Sequence, residues 1–391
     1  MNVVFLSPNF PPSLYLFCAR LRELGASVLG VADASYESLR PELREALTEY
    51  YRVPDLHDYD ALVRALGHFT HRHGKIDRID SLNEYWLETE ARLRTDFNIP
   101  GLNAETIGRV KRKSAMKRVF DRAGVPTARG RVVRSAPAAR EFVEEVGFPV
   151  IAKPDVGVGA ARTYRLENDD DLTAFLAGRA RMDYILEEEL TGELLSFDGL
   201  VDRKGHIVFT SSLVYGLPVL DAVRGADMWY WIDREIAPDL AEVGERLVRA
   251  FDVRERPFHF EFFRRPDGSL AALEVNMRQP GGLTVDMWDW ANEIDFYLAW
   301  AEVVVKGTTT VHTDRPYYCV WAGRKAGKPY RLDHQGVLDR FGALLVHHER
   351  MDDVFAPAIG NYGYILRGPD LAPLATAAAE IQELATPAGR D

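Results

Sequence analysis

The stretch "LEVNMRQPGG", residues 273–282, alternates two kinds of side chain. The apolar positions are Leu273, Val275 and Met277, and the polar positions are Glu274, Asn276 and Arg278. Successive side chains of a β-strand point to opposite faces, so the acid, the amide and the base share one face. A plain core strand carries Val or Ile on such a face. The pattern therefore indicates a strand whose polar face has a chemical role and whose apolar side chains, including Leu273, face the core.

A second strand, "FHFEFF", precedes this one and is joined to it by the turn "RPDGS". The hairpin predicts that Glu261 lies near Glu274, and two adjacent carboxylates are unfavourable unless a cation lies between them. With Asn276 they offer the oxygen ligands that suit Mg²⁺. Arg278 follows on the same face, where its planar fork suits a phosphate or a carboxylate. The alternative is a solvent-facing hairpin, which would carry several Lys or Ser residues instead.

Two further segments carry candidate binding residues. In "PVIAKPDVGVGAART" a strand ends at Lys153, and Gly157 and Gly159 lie in a turn whose N–H groups suit phosphate oxygens, although the P-loop pattern is absent. In "YILEEELTGELLSFDG" three glutamates follow an apolar strand. They form either a charged loop or a strand edge whose backbone binds a flat purine, with a carboxylate for ribose hydroxyls.

Length and charge limit the class of protein. The chain has 391 residues, which suggests about two to four domains. Apolar residues make up 47% and charged residues 27%, as in ordinary globular proteins. The net charge of −11 argues against a generic nucleic-acid binder, because phosphate contacts need clustered positive charge.

The compartment is predicted from cysteine usage and from apolar runs. Only Cys18 and Cys319 occur, which favours a reducing compartment. The first residues lack a basic signal-peptide region, and no run of about 18 apolar residues predicts a membrane span. We therefore expect a cytoplasmic protein with neither membrane nor nucleic acid as a partner.

The order of predicted elements changes near residue 108. The first hundred residues alternate strand and helix, as in "NVVFLS", "SLYLFCARLRELG" and "ASVLGVAD", which predicts an open parallel sheet. Later strands form hairpins, including one with a turn at Lys204-Gly205. The fold class is therefore α/β followed by α+β.

Five elements in order resemble the ATP-grasp superfamily of ligases, in its carboxylate–amine and amino-acid ligase-like branch. They are "KSAMKRVFDRAGVPTA", "FPVIAKPDVGVGA", "YILEEELTGELLSFDGLV", "FHFEFF" and "LEVNMRQPGG", and they span residues 113–282. The resemblance implies a Rossmann-like N-terminal domain followed by a two-subdomain ATP-grasp fold. The implied units are residues 1–108 (Rossmann-like), 109–186 (small lid subdomain and linker), 187–306 (large subdomain with the metal site) and 307–391 (C-terminal subdomain completing the active-site region).

The resemblance also implies roles for single residues. The implied ATP-binding residues are Lys113, Lys153, Gly157, Gly159, Glu187, Glu188, Glu189, Leu190 and Glu193. The two lysines contact the phosphates, the glycines lie in the loop above them, Glu187 faces the adenine amino group, and the backbone from 188 to 190 follows the base edge. Glu193 stands one position before Leu194, where the family usually has its ribose-binding acid. The implied metal ligands, for Mg²⁺ or Mn²⁺ in its place, are Glu261, Glu274 and Asn276, and Arg278 is the implied catalytic residue.

The implied activity is ATP-dependent ligation of a small-molecule carboxylate to an amine. An acyl-phosphate forms and is converted to an amide or peptide bond, with release of ADP and phosphate, on amino-acid-like substrates. The alternatives are a carboxylase-type ATP-grasp enzyme that activates bicarbonate and a catalytically silent nucleotide-binding protein. A homodimer is compatible with the resemblance. Residues 215–236, rich in aromatic side chains, either close over the substrate or pack against the core.

Overall fold

The computed structural model describes residues 1–157 and 162–385. The strands are β1 Asn2–Leu6, β2 Ser27–Ala32, β3 Glu49–Arg52, β4 Arg78–Asp80, β5 Gly130–Val133, β6 Val150–Pro154, β7 Tyr164–Leu166, β8 Tyr184–Glu188, β9 Glu193–Val201, β10 Ile207–Ser211, β11 Leu213–Tyr215, β12 Trp229–Ile232, β13 Arg256–Arg264, β14 Leu270–Asn276, β15 Tyr318–Arg324, β16 Leu345–Arg350 and β17 Tyr362–Gly368. The helices are α1 Leu14–Glu23, α2 Pro41–Ala46, α3 Tyr59–His73, α4 Leu87–Asp96, α5 Gly108–Lys111, α6 Lys113–Arg122, α7 Ala136–Val146, α8 Asp169–Gly178, α9 Val219–Val223, α10 Pro238–Ala250, α11 Thr284–Asn292, α12 Phe296–Lys306, α13 His334–Phe341, α14 Ala356–Ile359 and α15 Leu371–Gln382. Short 3₁₀ turns span Tyr36–Ser38 and Glu84–Trp86. Over the described residues, no helix combines the length and the apolar character needed to cross a bilayer.

The N-terminal sheet is parallel, in the order β3-β2-β1-β4. Strands β1 and β2 are apolar runs that are almost wholly buried, and α1 and α3 cover the sheet. Helix α3 begins where the Asp58 side chain accepts a hydrogen bond from the Ala61 N–H. The predicted α/β start is confirmed. Strand β3 was missed, because "EYYR" is too short and too polar to stand out.

A small antiparallel sheet follows, in the order β5-β8-β6-β7. Helices α7 and α8 pack their apolar faces on it, around Phe142, Phe175 and Tyr184. Its central strands pair antiparallel with Ile151 opposite Glu187, and β6 carries Lys153 while β8 carries Glu187 and Glu188. The sheet therefore brings those two strands side by side.

The largest sheet has nine strands, in the order β14-β13-β9-β11-β12-β15-β17-β16, with β10 paired to β9. The predicted hairpin with a turn at Lys204-Gly205 is present as β9 and β10, and "RPDGS" joins β13 to β14. The mixed α/β and α+β fold class is confirmed. Strands β15 to β17 belong to this same sheet, so the predicted C-terminal unit extends it. The domain boundaries at 108, 186 and 306 remain predictions.

The aromatic segment 215–236 packs against the core. Trp229–Ile232 form β12, which lies between β11 and β15. Tyr230 is buried and stacks on Trp321, with ring centroids 6.0 Å apart. The aromatic run thus forms an interior strand of the largest sheet. Arg224, the C-cap of α9, is exposed.

Candidate functional site

The β13–β14 hairpin pairs Glu261 directly with Glu274 and His259 with Asn276. Every second residue of β13, namely Phe258, Phe260 and Phe262, is buried in one apolar cluster, so the polar residues share the opposite face. The register shifts after Glu261, because Phe262 pairs with Ala272. Leu273 is therefore an extra residue in β14 and is only half-buried, whereas the alternation predicted it in the core.

Glu261 is held from behind by a buried chain of polar groups. The His259 imidazole lies 2.7 Å from Asp198 through Nδ1 and 3.4 Å from Glu261 through Nε2. Asp198 belongs to β9, opposite His259, and its other oxygen accepts from the Ser196 hydroxyl. Burial opposes the charged imidazole, but Asp198 and Glu261 outweigh it and raise the pKa of His259 to about 9. At Glu261, burial is outweighed by His259, with Arg278 and Lys153 adding to it, and the pKa of the carboxyl group is lowered.

Lys113 approaches the second carboxylate of the hairpin. Its Nζ lies 3.3 Å from Glu274 Oε1, and the side chain is 7% exposed. Helix α6 brings it there, since Met116, Val119 and Phe120 pack in the same cluster as the β13 phenylalanines. Each of the two paired carboxylates therefore has a cationic neighbour, which reduces their mutual repulsion.

Lys153 and Lys117 enclose Glu187. The Glu187 carboxylate lies 2.7 Å from Lys117 Nζ and 2.6 Å from Lys153 Nζ, and the residue is 3% exposed. A Cβ at Gly130 would come within 2.9 Å of the Lys117 side chain and 3.1 Å of Glu187, so glycine leaves room for this pair. One carboxylate between two ammonium groups leaves one net positive charge. The predicted contact of Glu187 with an adenine amino group stays a prediction.

Burial and charge act in opposite directions on this cluster. At Lys153, burial favours the neutral form, but Glu187 and Glu274 outweigh it and raise the pKa of the ammonium group. At Lys117, burial wins over Glu187 and lowers the pKa. At Glu187, the two lysines outweigh burial and lower the pKa of the carboxyl group. The carboxylate is thus kept ionised between the two lysines.

Asp155 joins the two lysine-bearing segments. Its carboxylate accepts from the Ser114 N–H at 2.8 Å and from the Ser114 hydroxyl at 3.0 Å. Its carbonyl accepts from the Lys113 N–H at 2.9 Å. These bonds fix the first turn of α6 against the end of β6, so Lys113 and Lys153 are held in one constellation.

The two glutamates after Glu187 point to arginines. Glu188 accepts from the Arg129 N–H and from its Nε, both at 2.7 Å. Glu189 accepts from Arg165 at 2.7 and 3.0 Å. Their side chains thus hold the end of β8 to the segments that carry Arg129 and Arg165. Within the described ranges the Leu190 N–H has no hydrogen-bond partner in the protein, which leaves it available to a ligand.

The turn into β9 requires glycine. Gly192 has φ +142°, and a Cβ there would lie 2.1 Å from the Arg264 carbonyl oxygen. Glu193 follows with an exposed side chain opposite Arg264. Gly157 is half-buried in the turn after β6, whereas Gly159 lies outside the described residues.

Arg278 connects the hairpin to the N-terminal unit. Its Nη1 donates to the Gln279 carbonyl at 2.6 Å, and its Nε lies 4.0 Å from Glu84 Oε2. The other oxygen of Glu84 binds Lys111 Nζ at 2.7 Å. Burial outweighs these cations and raises the pKa of Glu84. Beyond Arg278, "QPGG" runs into the N-terminus of α11, where the Thr284 hydroxyl donates to the Gly281 carbonyl at 2.8 Å.

A family model described as the ATP-grasp domain matches residues 146–286. The chain carries an ATP-grasp domain. It is 26% identical over 243 residues to an L-arginine-specific L-amino acid ligase of Bacillus subtilis, across 57% of this chain and 59% of that protein. The chain thus covers less than two thirds of that relative's length.

Solved structures share the fold. An L-amino acid ligase from Bacillus licheniformis superposes with a TM-score of 0.75 at 14% identity, covering 97% of this chain and 96% of that one. The dimeric biotin carboxylase domain of Hydrogenobacter thermophilus 2-oxoglutarate carboxylase, bound to MgADP, ADP and bicarbonate, gives 0.69 at 16% identity and covers 98% and 90%. At these identities the likeness concerns the fold alone.

Around the hairpin, sequence reasoning identified the paired acids and both lysines but missed supporting polar residues, among them Lys117, Asp155, Asp198 and Glu84. Lys117 lies one helical turn after Lys113, and Asp155 lies two residues after Lys153, so both had a local signal. Asp198 lies 61 positions before its partner His259, and Glu84 lies 194 positions before its neighbour Arg278. No local sequence pattern indicates either contact. All four support side chains that were predicted to bind ligands.

Proposed function

We propose that this ATP-grasp protein is an ATP-dependent ligase that joins a small-molecule carboxylate to an amine. The observation that carries the proposal is the paired Glu261 and Glu274, with Lys113 against Glu274 and Arg278 two residues beyond Asn276. Oxygen ligands, cations and a guanidinium group thus converge at one end of the hairpin. Phosphoryl transfer depends on such positioning and charge stabilisation more than on covalent help from side chains.

ATP is the proposed phosphoryl donor. The net positive charge around Lys117, Glu187 and Lys153 suits its phosphates, with Gly157 and Gly159 in the loop above them. The Leu190 N–H, which has no partner among the described residues, suits a base edge, with the backbone of Glu188 and Glu189 beside it. Glu187 near the adenine amino group and Glu193 near the ribose are kept as proposals.

Mg²⁺ is the proposed metal ion, with Mn²⁺ as a substitute. Glu261, Glu274 and Asn276 fit it, because two carboxylates and an amide form a hard oxygen donor set. The described residues contain no group of three or more His, Cys, Asp and Glu arranged to hold a metal. The site therefore depends on the amide and, as is usual for Mg²⁺, on ligands from outside the protein. When bound, the ion neutralises charge on the phosphates.

The reaction proceeds in two displacements. A carboxylate oxygen of the substrate attacks the γ-phosphorus of ATP, which forms an acyl-phosphate and releases ADP. The amine nitrogen then attacks the acyl carbon, phosphate leaves with the bonding electron pair, and the amine loses a proton to solvent. Lys113 and Lys153 hold the phosphates. Arg278 stabilises the acyl-phosphate and the tetrahedral species that follows it.

The proposed carboxylate site is the turn "QPGG" at the start of α11. Backbone N–H groups at a helix N-terminus favour an anion. Gly282 has φ +66°, and a Cβ there would lie 3.0 Å from Ile359, so the turn packs closely against α14. Amino-acid-like substrates are proposed because the B. subtilis relative is named an L-amino acid ligase.

The experiment that tests this proposal follows phosphate release and new product masses with ATP, Mg²⁺ and pools of amino acids. Turnover that needs both a carboxylate and an amine supports the ligase. Turnover that needs bicarbonate instead favours the carboxylase alternative, to which the bicarbonate-bound fold neighbour belongs. ATP binding with no metal-dependent turnover for any substrate class favours a silent nucleotide-binding protein.

Assembly and location are further proposals. A homodimer is checked by light scattering on the purified chain. A cytoplasmic location is supported by the two cysteines, Cys18 and Cys319, which are both buried and unpaired.

A further inference from the structure

A cavity of about 270 Å³ lies where the N-terminal unit meets the start of β13. Five arginines line it, namely Arg78, Arg94, Arg109, Arg254 and Arg256, against two acids, Asp252 and Glu255. The volume is several times the roughly 30 Å³ share of one water molecule, so a small organic molecule fits. The lining is therefore cationic and large enough for a ligand.

Arg256 has hydrogen-bonding capacity that the described protein does not use. It is 4% exposed, and its Nε donates to the Met277 carbonyl at 2.9 Å. Its Nη2 is buried with no hydrogen-bond partner among the described residues. Asp80, its ion-pair neighbour, is 4.0 Å away, beyond hydrogen-bond reach.

The acids around the cavity are already engaged. Asp80 accepts from Arg78 at 2.8 Å and from Arg94 at 3.0 Å. Glu255 binds Arg78 at 3.2 Å and Arg203 at 2.6 Å. Asp252 accepts from Arg254 at 2.7 Å. Positive charge thus exceeds the negative charge that remains available.

Arg109 is the second donor without a partner. Its Nε is buried and unpaired in the part of the chain that the structure describes. It comes from α5, whereas Arg256 opens β13, so the two side chains approach the cavity from different units. Two guanidinium groups that line the same cavity suit an oxyanion, since their N–H forks match carboxylate and phosphate oxygens.

We propose that this cavity, called the seam cavity because it lies between the N-terminal unit and β13, is a second binding site separate from the proposed ATP site. It would bind a small oxyanion that bears a carboxylate or a phosphate group. The inference stands independently of the proposed ligase activity. Arg256 binds the carbonyl of Met277, the residue between Asn276 and Arg278. An anion on Arg256 therefore lies one hydrogen bond from the backbone that carries the candidate metal ligand and catalytic arginine.

The test is isothermal titration of the full chain with inorganic phosphate and, separately, with malonate. Arg109→Gln and Arg256→Gln are compared with Arg246→Gln, a partly exposed arginine on α10 that does not line the cavity, and with Lys153→Met in the proposed ATP site. The expected result is saturable binding of at least one probe. It weakens at least tenfold in Arg109→Gln and Arg256→Gln and is unchanged in the other two variants. The probe that binds identifies the group recognised.

Three outcomes overturn the inference: neither probe binds saturably, binding survives both seam substitutions, or Lys153→Met alone abolishes it. Arg256 is buried, so its variant is first checked by circular dichroism. If it does not fold, the half-buried Arg109→Gln decides the question by itself.

Discussion

Glu187→Gln is expected to destabilise the protein strongly. The carboxylate lies 2.6 and 2.7 Å from two lysine ammonium groups and is almost wholly buried. At an effective dielectric constant of about 20, each contact is worth roughly 6 kcal/mol before desolvation is subtracted. Removing the single acid leaves two buried cations facing each other. Breaking a buried pair in this way costs about 3–5 kcal/mol.

Lys117→Met provides the matched partner variant. Glu187 keeps Lys153 in that protein, so the first loss is one hydrogen bond to a charged group, about 1.5–3 kcal/mol. The variant also loses the Lys117 bonds to the Ala128 carbonyl at 2.6 Å and to the Thr127 hydroxyl at 3.2 Å, about 1 kcal/mol each. In the double variant, one cation faces a neutral amide and the repulsion between two lysines is gone. The double variant is therefore expected to lose less stability than the sum of the two single losses, by about 1–3 kcal/mol.

The assay is urea unfolding followed by far-UV circular dichroism and by tryptophan fluorescence. All seven tryptophans lie outside residues 109–186, so fluorescence does not report directly on the small sheet, whereas dichroism does. A dichroism transition that moves to lower urea while fluorescence stays unchanged locates the loss in the small sheet. A Glu187→Gln cost below about 1 kcal/mol, as for an exposed pair, or strict additivity in the double variant, would refute the reasoning.

Three further predictions concern the proposed metal site, the pH dependence of stability and the Gly192 turn. Glu274→Gln is expected to lower metal-dependent ATP turnover at least tenfold, about 1.4 kcal/mol in activation free energy. The control variant Glu242→Gln, at an exposed acid on α10, is expected to leave turnover unchanged. Equal rates in the two variants would show that Glu274 is not a metal ligand. Burial, with Asp286 and Asp295 adding to it, raises the pKa of Asp289 to about 8. The contribution of the protonated Asp289 carboxyl group to folding stability is therefore fully present below its pKa in the unfolded chain and is lost as the pH rises to about 8. Asp289→Asn, which can still accept from the Phe296 N–H, should therefore raise the thermal midpoint more at pH 8 than at pH 4, and an equal shift at both would contradict it. Gly192→Ala is expected to cost about 2 kcal/mol or more of stability, because its Cβ meets the Arg264 carbonyl. The control is Gly67→Ala in α3, where an added Cβ meets nothing within 4 Å. An unchanged thermal midpoint in Gly192→Ala would count against the contact.

The parts of the fold that repeat with a regular period were predictable from the sequence. Alternation in β13 and β14 predicted the pairing of Glu261 with Glu274, because register follows from which face is buried. The extra residue at Leu273 was not predictable, since a bulge leaves the local pattern of apolar and polar residues almost unchanged. The register shift nevertheless moved Leu273 out of the core.

The supporting residues of the site were predictable only in part. Lys117 repeats the helical spacing of Lys113, but its partner Glu187 lies 70 positions away in sequence. Asp198 reaches His259 only because β9 pairs with β13. Such contacts depend on strand order in three dimensions. Glu187 shows the consequence, since its two lysine partners come from α6 and β6. The adenine contact that the resemblance implies stays a prediction.

The nine-stranded sheet has a consequence for shortened versions of the chain. Strand β12 pairs with β15 along Trp229–Ile232, and β15 comes from the C-terminal segment. Cutting the chain after residue 306 would remove β15 to β17 and leave β12 as an unprotected edge with two tryptophans and a tyrosine. Open, aromatic strand edges recruit other chains and cause aggregation. Strands β15 to β17 therefore protect the edge of the sheet that contains the β13–β14 hairpin.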